Sequence, residues 1–503
     1  MNVLVISVAD LPSATTLGWL VAAKRFADWA SSLFLLSPLL GCGDRPHQTM
    51  TPDSNPTLSP GSPATAVWAN RSVWLIALGR FLSQIGAGLI FFYIPLVFVN
   101  YLGLSATAVG LSVGLSSITG VGGHFLGGVL VDMPRFGRKT TLILSGILGV
   151  AVSLILAIAA TLPLLIVASV LLGVGVGFYW TAADAALMDV TTPPERHQAF
   201  AIGNLANNLG NGVGILGGGV LLVLVNDNHQ LLFIGCGLIY LVFVMIVQMT
   251  MPETYPPQSE AIGGGQGLGL ALRDRALLVF IAANLLFTTY IALVNSTIPL
   301  YFTNFVPAIG QAQTSTSTAT LFSWCYIGLG ALLQIPVAYL LNGLPRVRIL
   351  MVALLMWATG FCLVWVAGTN LNGQVAWSML SLCWLALGAV IYVPFAAAIV
   401  AELAPPTLRG AYVAVSSQCW AIGYFVGPVL GGWAMDQTAA IAHQFWLWAC
   451  LSTVFGFIIL ALFNHVYRAR ISTDPAAFFA TACPTTDEAP ADSPASLCKE
   501  PGH

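Results

Sequence analysis

The chain has 503 residues, 57% of them hydrophobic and 7% charged, with 17 Lys and Arg against 19 Asp and Glu. A soluble domain carries about 25% charged residues, so this inventory cannot cover a water-facing surface. A net charge of −2 leaves no electrostatic footprint for nucleic acid.

Residues 1–72 read as a leader, poorly ordered or upstream of the true start. Leu40-Gly41-Cys42, after Lys24-Arg25 and an apolar stretch, mimics a lipoprotein signal but sits late. Met50 opens a polar Ser/Pro-rich stretch that ends at Arg71, a normal entry to a first helix. From there, apolar runs of the ~20 residues needed to span a bilayer recur along the chain. Twelve spans are predicted, near 73–98, 105–131, 140–161, 163–189, 198–225, 230–250, 276–303, 317–341, 347–368, 373–401, 409–435 and 442–466. They form an N-terminal bundle (73–250) and a C-terminal bundle (276–466). Residues 251–275, rich in Gly, Pro and Gln, link them. Residues 467–503 are expected to be a disordered tail. The nine cysteines are scattered with no CxxC, so reduced thiols are expected and zinc is not.

The chain is internally duplicated. Ile94-Pro95-Leu96-Val97-Phe98-Val99-Asn100 returns as Ile298-Pro299-Leu300-Tyr301-Phe302-Thr303-Asn304, 204 positions later. Gly210, Gly214 and Gly218 return as Gly423, Gly427 and Gly431, displaced by 213. That second offset also aligns Tyr179 with Tyr392 and Asp189 with Glu402. Parallel membrane repeats of this kind build carriers with a site between the halves.

Lys and Arg set orientation. Arg135, Arg138, Lys139, Arg196, Arg273, Arg275, Arg346, Arg348, Arg409, Arg468 and Arg470 share one side if the spans alternate. The opposite loops carry Asp227 and Asp436 and no Lys or Arg. Both ends of the core are therefore expected in the cytoplasm, in a multi-pass protein of the cell (inner or plasma) membrane.

Between spans two and three the chain reads Gly127-Gly128-Val129-Leu130-Val131-Asp132-Met133-Pro134-Arg135-Phe136-Gly137-Arg138-Lys139. This resembles the signature loop of the major facilitator superfamily, Gly-x3-Asp-Arg-x-Gly-Arg-Arg/Lys, with Met133-Pro134 inserted. The resemblance covers about residues 73–466. It implies an all-α membrane fold of two pseudo-symmetric six-helix bundles that rock about a central cavity. Gly128 would let a neighbouring helix approach closely. Asp132 would face the N-terminus of span eleven, where the dipole favours an anion by ~0.3–1 kcal/mol. Arg138 would pair with Asp189. With Gly137 and Lys139 these residues make a latch for the outward-open state. The alternative is that Arg135, Arg138 and Lys139 merely anchor topology.

The ladders Gly210/Gly214/Gly218 and Gly423/Gly427-Pro428/Gly431 space small residues by four, which lets helices touch. They resemble the superfamily's antiporter motif Gly-x8-Gly-x3-Gly-Pro-x2-Gly-Gly, but the better copy stands in the second half. Ser169 also stands about where the antiporter pattern has an intramembrane Arg.

A mid-helix charge costs ~2.5–3.5 kcal/mol on insertion scales, so it should face a partner or a cavity. Arg80 in span one and Asp184 in span four are the clearest cases. They lie at comparable depth, so a pair is expected, either as a coupling device or as a structural ion pair. His124 lies in the same third of the membrane, read as a coupling candidate or as a packed residue. Asn204, Asn207, Asn208 and Asn211 form one stripe of span five. The candidate substrate path takes Asn204, Asn208 and Asn211, with Asn284, Asn295, Tyr93, Tyr179 and Tyr392.

No HExxH, GxSxG or Walker-type motif is present, so neither an enzyme nor an ATP motor is indicated. The reading is a secondary carrier that moves a small organic solute by alternating access, with proton-coupled export of an amphipathic compound foremost. No cofactor is implied; solute, protons and the bilayer are the partners, and a monomer is expected. Uptake or facilitated diffusion of a neutral solute such as a sugar is the alternative within transport. A non-transporting receptor on the same scaffold is the alternative outside it. Single cysteines at Asn228 and Arg273 in a cysteine-free background should label from opposite faces of the membrane. Labelling of both by an impermeant reagent from outside contradicts the twelve-span map.

Overall fold

The computed structural model describes residues 70–133, 135–192, 195–226, 228–251, 269–310, 315–341, 344–370, 372–405 and 408–473. The Met50 start, nearly all of the leader, most of the linker, the tail beyond Thr473 and Asp227 lie outside them.

The first half comprises α1 (Arg71–Asn100), α2 (Ala106–Asp132), α3 (Gly137–Ile158), α4 (Leu162–Asp189), α5 (Arg196–Leu224) and α6 (His229–Thr250). The second comprises α7 (Arg275–Phe305), a broken α8, α9 (Arg346–Thr369), α10 (Gln374–Leu403), α11 (Arg409–Met435) and α12 (Ala439–Thr473). Eleven are long and apolar enough to cross a bilayer as single helices. The eighth crossing is assembled from Ser315–Leu321, a π-helical stretch Phe322–Gly328 and Leu329–Leu341. Among the described residues there is no strand. The backbone groups are thus satisfied inside each segment, as hydrocarbon requires.

Two features depart most from the sequence expectation. The last helix runs on to Thr473 rather than ending near 466. No helix breaker stands between Phe463 and Thr473; Pro475 is the first. Span eight is not one continuous helix but switches to the wider π turn, which in membrane helices marks bends.

Capping repeats with the duplication. The Asn70 side chain accepts from Ser72 N at 3.0 Å and starts α1. Its counterpart 204 positions on, Asp274, accepts from Ala276 N at 2.9 Å and starts α7. Because the helices alternate, Arg71, Arg138, Arg196, Arg275 and Arg346 all mark one end of the molecule, the arginine end. The other is the far end.

Packing within each half relies on close backbone approach. Gly210 and Gly214 of α5 abut the carbonyls of Phe81 and Ile85 on α1, and Gly218 abuts the Tyr93 ring. Gly423, Gly427 and Gly431 of α11 abut Thr288, Ala292 and Thr297 on α7 in the same way. The two ladders thus do equivalent work. Between the halves, α2 lies against α11, α5 against α8, and α1 beside α7.

One glycine is placed differently from expectation. Gly128 faces open space, and it is Gly127, with Gly123, that packs on α4 against Phe178, Thr181 and Val174. The 100° step per residue turns Gly128 away from that interface. Replacing Gly177, whose added Cβ would meet the backbone of Gly123 and His124, by Val should cost about 1–3 kcal/mol through overpacking. Gly128→Val should cost far less. Monodisperse protein remaining after a heat step measures both; equal loss in the two variants contradicts the packing described.

Candidate functional site

The charged centre lies on α1, α4 and α5. Arg80 is 1% exposed, and its Nη2 donates to Asp184 Oδ1 at 2.5 Å. The Asp184 side chain is 42% exposed. The guanidinium lies 5.9 Å from the Phe200 ring centroid, and Gly203 leaves room for its Cδ and Nε. A buried guanidinium without a counter-charge would be strongly destabilising, and Asp184 supplies that counter-charge while keeping contact with the opening. His124, exposed on α2, is within electrostatic reach of Asp184.

The corresponding place in the second half is neutral. Asn284, aligned with Arg80, donates to Ser416 Oγ at 3.3 Å and accepts from the Tyr392 hydroxyl. Tyr392 stacks on Phe287 at 4.5 Å. Asn295 donates to Tyr424 Oη at 3.4 Å.

The substrate-path residues divide into two groups. Asn204 is exposed, and Asn208, Asn211 and Asn295 are half-buried. Tyr93, Tyr179, Asn284 and Tyr392 are buried. Their polar atoms are used inside their own half: Tyr93 donates to Ile215 O at 2.8 Å and Tyr179 to Asn207 Oδ1 at 3.4 Å. A hydroxyl enclosed in an apolar bundle needs such a partner. These four therefore shape the bundle interior rather than line the opening.

The opening faces the arginine end. One face of α2 carries Gly110, Gly114, Val121, Phe125, Gly128 and Asp132. At the far end Gly110 and Gly114 touch Pro428 and Phe425 of α11. Toward the arginine end the same face is uncovered: Phe125 is 74% exposed, Gly128 meets open space and the Asp132 side chain is 81% exposed. Gly410, at the start of α11, also faces open space.

The signature loop organises the arginine end of the first half. Arg138 Nε lies 2.9 Å from Asp189 Oδ2, its Nη1 donates to Val131 O at 2.8 Å, and Asp132 lies 4.0 Å away. Gly137 has φ +70, which favours glycine at this entry to α3. Lys139 donates to Gln248 O at 2.8 Å. The second half repeats the motif in outline: Arg346 pairs with Glu402 at 2.6 Å, and Tyr467 donates to the same carboxylate at 3.1 Å. Asp132 thus lies beside Arg138 of its own half.

Residues 76–306 and 302–481 match the family model described as Major Facilitator Superfamily. The chain belongs to the Major Facilitator Superfamily. "Multidrug resistance protein MdtH" of Aeromonas hydrophila is 30% identical over 400 residues, covering 78% of this chain and 95% of that protein. The protein of the same name from Salmonella typhimurium is 24% identical, covering 81% and 98%. Among solved structures, the nucleoside transporter NupG superposes with TM-score 0.66 at 11% identity, covering 79% of this chain and 99% of that one. A peptide transporter POT in complex with sulfate gives 0.64 at 15%, covering 81% and 99%. This superfamily member is a transporter, not an enzyme.

The halves of this transporter are clasped at the far end by residues the sequence analysis did not assign to the site. The Asp436 carboxylate, at the end of α11, accepts from Ala106 N at 2.6 Å, Thr107 N at 2.8 Å and Thr107 Oγ1 at 2.5 Å. These are the first N–H groups of α2, which have no partner within their own helix. Asn304 donates to Asn100 Oδ1 at 2.9 Å, so the duplicated asparagines meet each other. Ser323 donates to Gly212 O at 3.4 Å, and Phe92 lies 5.5 Å from Phe322. The signal was available in part: Asp436 is one of two charges in the loops of that side, and Asn100 and Asn304 end the duplicated heptapeptide. Asp436→Asn removes an anion from a helix N-terminus at an exposed site, worth about 0.3–1 kcal/mol. The open-versus-closed population at the far end should shift two- to fivefold, roughly, toward open. Electron–electron resonance between labels at Tyr101 and Thr438 measures this; an unchanged distance distribution contradicts the clasp.

Proposed function

We propose that this transporter is a proton-coupled exporter of small amphipathic organic solutes, working by alternating access. The arginine end is assigned to the cytoplasm of a cell membrane by the one-sided Lys and Arg distribution, so the arrangement described is inward-open. The relatives' name, multidrug resistance protein, supports export of foreign organic compounds.

The observation that carries the reading is the placement of Asp184. Among the described residues it is the one carboxylate inside a span that also reaches the opening. A carboxylate held by Arg favours the charged form, and the same group released into an apolar surround favours the neutral form. Rocking the halves alters what surrounds Asp184 and so moves it between these conditions. A proton is taken up as the Arg80 pair opens and lost as it reforms. Substrate that competes with Arg80 for the carboxylate drives the first step. His124 stands near enough to pass a proton between Asp184 and water at the mouth. Asp132, Arg138 and Asp189 serve as the cytoplasmic latch of the opposite, outward-open state.

The test is transport into liposomes under an imposed proton gradient, with a panel of organic cations and neutral sugars. Asp184→Asn should abolish gradient-driven accumulation and leave solute counterflow measurable. Arg80→Lys keeps the charge without the planar fork and should retain part of the activity. Accumulation by Asp184→Asn at the wild-type rate, with the wild-type pH dependence, contradicts the assignment. Accumulation of sugars independent of the gradient contradicts coupled export.

A further inference from the structure

Two unlike stripes occupy equivalent positions of the duplicated halves, and each leaves part of itself exposed: Asn204 and Asn208 on α5, Ser417 and Trp420 on α11. On α5 the stripe is Asn204, Asn207, Asn208 and Asn211; 213 positions on, α11 carries Ser417, Trp420, Ala421 and Tyr424.

The direction in which the second stripe faces follows from the contacts of α11. One side, through Ser416, Cys419, Gly423, Gly427 and Gly431, rests on α7. A second, through Phe425, Pro428 and Gly432, rests on α2. At 100° per residue these two sides are nearly opposite. Two faces remain between them. One carries Ile422 and Trp433, 48% and 43% exposed among apolar neighbours as a lipid face requires. The other carries Ser417, Trp420 and Tyr424. Tyr424 turns inward, because its hydroxyl meets Asn295 of α7. Trp420, one turn closer to the arginine end, is 37% exposed with its ring 6.0 Å from that of Tyr424. It lies about 16 Å in from Arg409, between the depths of Asn204 (about 12 Å) and Asn208 (about 18 Å) from Arg196.

We propose that Trp420, backed by Tyr424, is a stacking subsite that selects solutes with a flat aromatic ring. The subsite rests on the transport reading and narrows its substrate class. An indole that faces a water-filled mouth keeps apolar surface hydrated, and a ring laid on it removes that surface from water on both partners. The opposite wall supplies Asp184, Asn204 and Asn208, which suit a basic or hydrogen-bonding group at the other end of the same molecule. In the first half the positions of Trp420 and Tyr424 are held by Asn207 and Asn211, so stacking comes from the second half alone. The solute then bridges the two halves with a different end on each. That geometry makes its occupancy sensitive to their separation.

The test compares two monovalent cations, planar aromatic ethidium and aliphatic tetrapropylammonium, by equilibrium binding to the purified full-length protein in nanodiscs. Wild type should prefer ethidium. Trp420→Ala should weaken ethidium about tenfold and leave tetrapropylammonium unchanged, while Trp420→Phe stays within about threefold. Trp420→Leu keeps apolar bulk and guards against a packing defect; it should behave as Trp420→Ala does. Asp184→Asn should weaken both cations without erasing the preference between them. The subsite is overturned by a wild type without aromatic preference. It is also overturned by Trp420→Ala binding ethidium as wild type does, or by Trp420→Leu losing both cations alike. Binding with the expected preference but no gradient-driven movement of either cation would instead sink the transport reading and leave the subsite standing.

Discussion

Backbone-to-backbone contact through small residues is the constraint on which the molecule depends. In a bilayer, apolar side chains gain little by leaving lipid for protein, so helices must associate by close packing and hydrogen bonds. The ladders Gly210/Gly214/Gly218 and Gly423/Gly427/Gly431 press α5 onto α1 and α11 onto α7. The rotation of α5 and α11 is thereby set. It places Gly203 beside the Arg80 side chain and Ser416 within reach of Asn284. It also leaves Asn204 and Asn208 of α5 and Trp420 of α11 at least partly exposed. The ladder extends past the half itself: Pro428 and Gly432 bring α11 against α2 at the far end.

The two halves share this scaffold but not its electrical content. The first half holds a buried Arg80 neutralised by a half-exposed Asp184, and the second answers with Asn284, Tyr392 and Ser416. A buried neutral network, once satisfied, is rigid and indifferent to protons near neutrality. An ion pair at the edge of water is not, since either partner can be captured by a solute or a proton. Duplication followed by this divergence leaves an ion pair in one half and a neutral hydrogen-bonded cluster at the matching place in the other. The ends of the molecule differ likewise. The far end is joined by Asp436 on the first turn of α2 and by Asn100 with Asn304, while at the arginine end Arg138 pairs with Asp189 and Arg346 with Glu402, each within its own half.

What could be read beforehand follows the physics of single helices. Depth arithmetic placed Arg80 and Asp184 level because an α-helix rises by a fixed step, and the structure brings their side chains together. The Arg138–Asp189 contact was legible for the same reason, since both residues sit where helices leave the membrane. Contacts across the halves were not legible, because they depend on which end is closed. Asp436, which meets the first turn of α2 from the other half, is such a contact. Rotation about the helix axis was also hard to read. Tyr93 and Tyr392 looked like cavity walls but are turned inward, and nothing in the sequence marks Trp420 as partly exposed. The π-helical stretch of α8 left no composition signal beyond Gly328, Gly330 and Pro336.

The central claim is that two rigid halves rock, so that closing one end opens the other. Spin-label pairs at Gly128 with Gly410 report the arginine end, and pairs at Tyr101 with Thr438 report the far end; both can be followed in proteoliposomes while the proton gradient is reversed. Opposite changes in the two distances, with matching populations, are the expected result. Two distances that stay fixed, or that widen together, would contradict alternating access in this protein.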